Sequence, residues 1–162
     1  MMRRPTLAAL AGALLLAPLS LAAQEQKPEG DPVVNVDEAD AKMNAAIQTA
    51  RDTSPRWLAI LADPPVGTTS ITFKFPLEGY EHIWVGEVAR DGDYLTGRLM
   101  NNPHAEGWRL GDAVRVPISG ISDWGYVDAV GRAHGFHTVR VMLEFMPPEQ
   151  AERVRRSYGF TD

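Results

Sequence analysis

The spacing of apolar residues changes after Asp63-Pro64-Pro65, and that change limits which folds this chain can adopt. Before it, Met43, Ala46, Ile47 and Ala50 fall at i, i+3, i+4 and i+7, one face of a helix. After it, Ile71, Phe73 and Phe75 alternate with Thr72 and Lys74, the period of a half-buried strand. Helical and strand-like runs kept apart along a chain give α+β rather than α/β architecture.

The helical part starts at Asp37, a capping residue type, and Ser54-Pro55 reads as an interruption. A second short helix then covers Arg56 to Leu61, with Trp57, Ile60 and Leu61 inward. Glu81 to Arg90 carries apolar residues on both faces, as a central strand does. Arg90-Asp91-Gly92-Asp93 turns the chain into Tyr94 to Met100, and Leu110-Gly111-Asp112 turns it into Ala113 to Val116. Ile121 to Val127 reads as a short strand or a strand entry. Val139, Val141, Leu143 and Phe145 alternate with Thr138, Arg140, Met142 and Glu144, and predict another. Pro147-Pro148-Glu149 opens a terminal helix. The expectation is two N-terminal helices and a C-terminal helix packed on a curled, mainly antiparallel sheet of about six short strands. A partly open barrel is one form of it.

The first residues carry a different signal. Arg3 and Arg4 precede an apolar run from Leu7 to Leu16, Pro18 breaks it, and Ser20-Leu21-Ala22-Ala23 offers small residues for cleavage. This is the pattern of a secretory signal peptide, and its run of roughly ten residues is shorter than the ~20 that span a bilayer. The alternative is an uncleaved anchor. Residues 1–23 thus read as signal peptide and 24–36 as a flexible Gln, Glu, Pro, Gly and Asp leader, with one domain over 37–162. The implied location is periplasmic or secreted, with no membrane span after cleavage.

Composition then removes whole classes of function. There are no cysteines, which excludes disulfides, thiolate metal sites and cysteine nucleophiles. A net charge of -5, more acidic once Arg3 and Arg4 leave, argues against nucleic acid. No phosphate loop, dinucleotide glycine motif or Gly-x-Ser-x-Gly elbow occurs, so no cofactor is expected.

An ordered set of short segments is more specific. It comprises His82-Ile83-Trp84, Gly97 with Asn101-Asn102-Pro103, Leu110 through Pro117, Ile121-Ser122-Asp123-Trp124-Gly125-Tyr126-Val127, and Gly135-Phe136-His137-Thr138-Val139-Arg140-Val141. In this order and spacing they resemble the DUF2314 family, YegJ-like bacterial domains of unknown function, over about Met43 to Phe160. The resemblance implies an α+β fold and supplies no activity, since the family's own is not established. Two departures stand out. Gly125 follows the Asp-Trp pair where the family carries a bulky residue. The segment Asp128 to His134 is longer than the family's compact glycine hairpin.

Candidate chemistry is sparse. His134 and His137, three apart in what reads as hairpin and strand, point to opposite faces, so no shared metal is expected. The simpler reading of all four histidines, His82 and His104 included, is surface or turn residues, with a zinc site assembled from distant histidines as the alternative. Asp123 beside Trp124 is a candidate acid or base, with His82 or His137 as partner. A turn carboxylate bonding backbone amides is the simpler role, as for Asp112. Trp108 and Arg109, in a polar loop, together with Trp124, are candidate binding residues. The leading reading is a noncatalytic envelope binding or interaction module for a protein, peptide or glycan. An envelope hydrolase using Asp123 with a histidine is the alternative, and an assembly role is a third reading.

Overall fold

The computed structural model describes residues 41–161. The signal pattern, the leader and the Asp37 cap lie outside the described residues. Helix α1 runs unbroken from Ala41–Ala62 and buries Met43, Ala46, Ala50, Ser54 and Trp57 along one stripe. The break expected at Ser54-Pro55 is therefore absent. Pro55 has no N–H to offer the Arg51 carbonyl, but the Ser54 hydroxyl donates to that oxygen at 2.8 Å. One turn later, the ring of Trp57 is fully buried, stacked near Trp124 and edge-on to Phe73. Hydrophobic anchoring on both sides of the proline carries the helix through it.

Six strands follow: β1 Thr69–Leu77, β2 Glu81–Asp91, β3 Tyr94–Leu99, β4 Ala113–Pro117, β5 Asp123–Val127 and β6 Ala133–Gly135. They form one sheet in the order β4-β3-β2-β1-β5-β6, with every pair antiparallel. The sheet does not close into a barrel. Helices α2, His137–Glu144, and α3, Pro148–Tyr158, complete an α+β fold. No helix among the described residues is long and apolar enough to cross a membrane.

Two expectations need correction. The alternating segment Val139 to Phe145 is not a strand; it belongs to α2 and the residue that ends it. Thr138, Val139, Met142 and Leu143 form a helical face just as readily as the odd positions form a strand face, and three of these four are buried. The sixth strand is instead Ala133–Gly135, beginning at the end of the Asp128 to His134 segment, where β6 pairs with β5 through Gly125↔Gly135 and Val127↔Ala133.

The two sheet faces differ. Phe73, Phe75, Leu77, Ile83 and Val85 alternate inward toward the main core, which α1 joins through Ala50 and Trp57. The Trp124 indole ties this face to the helix by donating to the Ala50 carbonyl at 2.8 Å. The intervening residues Thr72, Lys74, Trp84, Asp123 and Gly125 face the other way. They are covered by a second cluster of Phe136, Val139, Tyr158 and Phe160. Gly125 has its reason here. A Cβ added to it would lie 2.3 Å from the Phe136 ring, so that ring occupies the space a larger side chain would need.

Candidate functional site

Asp123 sits on β5 beside Lys74 of β1, its register partner, and is 0% exposed. Its Oδ1 accepts the amides of Trp124 at 2.8 Å and His137 at 3.0 Å. Its Oδ2 accepts the Thr138 amide at 2.8 Å and the Thr138 hydroxyl at 2.6 Å. The Lys74 ammonium donates to the same hydroxyl oxygen at 3.3 Å and lies 5.4 Å from the Trp84 ring centre. Burial pushes the Asp123 carboxyl up, against the Thr138 bonds and the Lys74 charge. Burial also pulls the Lys74 ammonium down, against Asp123.

This geometry makes Asp123 a cap supplied from a distance. The first turn of a helix leaves backbone N–H groups without partners. Phe136, at the N-cap position of α2, supplies no side-chain bond, and Asp123 takes the His137 and Thr138 amides instead. A negative charge there also suits the positive end of the helix dipole.

Neither histidine named as a partner bonds this carboxylate through its ring. The His137 ring lies 3.5 Å from the Thr53 hydroxyl and edge-on to Trp124, while its backbone amide, not its ring, meets Asp123. Burial holds the His137 imidazole below its ordinary value, with Asp123 opposing. The His82 Nδ1 lies 2.8 Å from the Ser122 hydroxyl, a serine that is 1% exposed. His134 pairs with Asp128 at 2.9 Å, and that bond holds the Asp128 carboxyl below the usual range. No cluster of three metal-ligating side chains occurs among the described residues.

The binding candidates separate. Trp124 is buried between Trp57 and Tyr126, so its ring is core. The Trp108 ring is half-buried against the main core and its indole donates to Glu78 at 2.9 Å. Arg109 is exposed on a turn that Asp112 closes by accepting the Arg109 amide at 2.8 Å. Sequence reasoning missed Glu81. Its buried carboxylate accepts the amides of His104, at 2.9 and 3.0 Å, and Ala105, at 2.9 Å. Those partners lie 23 and 24 residues away, and nothing local signals them.

A cleft of about 280 Å³ opens on the face of the sheet that bears Trp84. Thr72 and Trp84 come from the sheet, Met100 and Asn101 from the link after β3, Phe136 from the link before α2, and Tyr158 from the end of α3. None of the side chains lining it carries a formal charge at neutral pH. Asn101 is oriented by its Oδ1, which accepts the Trp84 amide at 3.2 Å.

A family model described as "Uncharacterized protein conserved in bacteria (DUF2314)" matches residues 40–161. A curated protein of Neisseria meningitidis serogroup B, named "Putative ankyrin repeat protein NMB1133/NMB1171", is similar at 29% identity over 143 residues. The match covers 80% of this chain and 56% of that protein, so the chain spans little more than half the relative's length. No solved structure matches.

Proposed function

We propose, from the premise that this chain belongs to the bacterial DUF2314 family, that it is a noncatalytic binding module of the cell envelope whose ligand enters the Trp84–Tyr158 cleft. One observation carries the reading. The only carboxylate singled out as an acid or base, Asp123, has both oxygens engaged by four donors and is sealed from solvent. The cleft, by contrast, offers aromatic and neutral polar groups without a titratable pair. The Arg3, Arg4 and Leu7 to Leu16 pattern supports export to the periplasm. The relative's name, an ankyrin repeat protein, favours interaction over catalysis.

Two other readings have a specific observation behind them. Leu110 is 54% exposed beside Arg109, which favours a protein contact at the Trp108 loop. The Ser122–His82 pair resembles half of a hydrolytic site, yet Ser122 is closed to substrate. A photo-crosslinking residue placed at Met100, 49% exposed on the cleft, or at Leu110 in exported protein separates the binding readings. Adducts of one defined envelope component from Met100 are expected. Adducts from Leu110 alone, weakened by Trp108→Ala and Arg109→Ala, move the site to the loop. Adducts from neither position remove the binding reading.

A further inference from the structure

We infer that the cleft takes an uncharged saccharide, an assignment that rests on the binding-module reading and names its ligand class. Backbone strain gathers at this place. Four non-glycine residues among those described have positive φ: Ser70 at 53°, Glu78 at 49°, Glu87 at 51° and Phe136 at 53°. Ser70 and Phe136 both line the cleft. Glu87 follows Gly86, where an added Cβ would lie 2.9 Å from the sulfur of Met100, another lining residue. Ser70 lies where the β1–β5 register shifts, and Glu87 where the β2–β3 register shifts. Two strand irregularities and one left-handed link therefore border a single cleft. Strain of this kind persists where the surrounding structure holds it, and it concentrates at binding sites.

The lining chemistry narrows the ligand. With its oxygen fixed on the Trp84 amide, Asn101 has its side-chain N–H donors unspent among the described residues. The Trp84 indole N–H and the Tyr158 hydroxyl likewise have no hydrogen-bond partner among the described residues. Such groups ask for a ligand rich in hydroxyl and carbonyl oxygens. Trp84 and Phe136, with ring centres 5.3 Å apart, and Tyr158, 5.0 Å from Phe136, supply apolar walls. A sugar ring presents both an apolar C–H face and a polar edge. Anionic and cationic ligands find no counter-charge in the lining, because Lys74 is buried and held by Thr138. An extended peptide would pair with a strand edge, but β1 and β2 are interior strands with neighbours on both sides. At about 280 Å³ the cleft is small for a ligand pocket, which suits a ring or two rather than a long chain.

The test is a titration of the isotope-labelled exported protein, read at the Trp84 indole and Asn101 side-chain N–H signals. The probes are glucose, N-acetylglucosamine, its β-1,4-linked dimer, and acetylated, amidated tetraproline. Saturable shifts of both signals with at least one sugar are expected, unaffected by added salt, with at least threefold weaker binding in Tyr158→Phe. That variant keeps the ring and removes only the hydroxyl. Shifts with tetraproline and none with any sugar overturn the saccharide assignment and leave the binding-module reading standing. Sugar shifts confined to signals outside the cleft also overturn it. Silence from every probe overturns it too; in that case adducts at Met100 would keep the broader reading and their absence would end it.

Discussion

Two buried carboxylates, Asp123 and Glu81, do similar mechanical work on opposite faces of the sheet, and their differences are instructive. Each accepts backbone amides from a segment far along the chain. Glu81 fastens the link between β3 and β4 at His104 and Ala105. Asp123 fastens the start of α2 at His137 and Thr138. Only Asp123 adds a side-chain hydroxyl and a buried ammonium, that of Lys74, reached through Thr138. A carboxylate beside a tryptophan looks like a reactive acid when only its neighbours in sequence are considered. With its partners in view, it is a fastener. Both fasteners also serve the cleft, since Glu81 holds the link that carries Asn101, and Asp123 holds the segment that follows Phe136.

The largest effect should come from Asp123→Ala. It leaves the Lys74 ammonium and the α2 donors buried without their acceptor, and breaking such a pair costs about 3–5 kcal/mol. Urea unfolding measures it. Glu81→Ala strands only backbone amides, so a loss of about 1–3 kcal/mol is expected, with faster hydrogen exchange at His104 and Ala105. Equal losses for the two variants would erase the distinction drawn from Lys74. Thr138→Val removes the hydroxyl between Lys74 and Asp123 and keeps the β-branched shape. It should cost about 1.5 kcal/mol, the low end for a hydrogen bond to a charged group.

The smallest effect concerns pH. Burial lowers the His137 value in the folded protein, so the unfolded chain takes up the proton more readily. The stability His137 contributes is present above the unfolded histidine value of about 6.5 and is lost as pH falls below it. Stability measured from pH 7.5 to 5 should therefore decline less in His137→Gln than in the parent. Identical slopes would show that His137 protonates equally in both states.

Much of the fold was legible from local pattern. The period-two run of β1, the two apolar faces of β2, the Asp91-Gly92 turn into β3 and the proline at the start of α3 gave those elements directly. The failures share a physical cause: a partner remote in sequence or a hydroxyl that offsets a local rule. Val139, Val141 and Leu143 fit a strand as well as a helix, and the capping carboxylate that favours the helix precedes Thr138 by 15 residues. Pro55 breaks the rule for helix interiors, yet the Ser54 hydroxyl takes over the Arg51 carbonyl. Glu81 read only as the first residue of a strand. Trp84, Asn101 and Phe136 each stood in a segment that carried the family resemblance, but their meeting with Met100 and Tyr158 depends on the sheet and α3 together.

The assignment of Asp123 as a helix cap is open to one direct measurement, amide hydrogen exchange at His137 and Thr138 in the parent and in Asp123→Asn. The asparagine keeps the size of the side chain but turns an N–H group toward donors that need an acceptor. Strong protection of both amides in the parent, with a selective loss in the variant while the β1–β2 amides stay protected, is the predicted result. Unchanged protection at His137 and Thr138 in Asp123→Asn would contradict it and return Asp123 to the list of candidate acids.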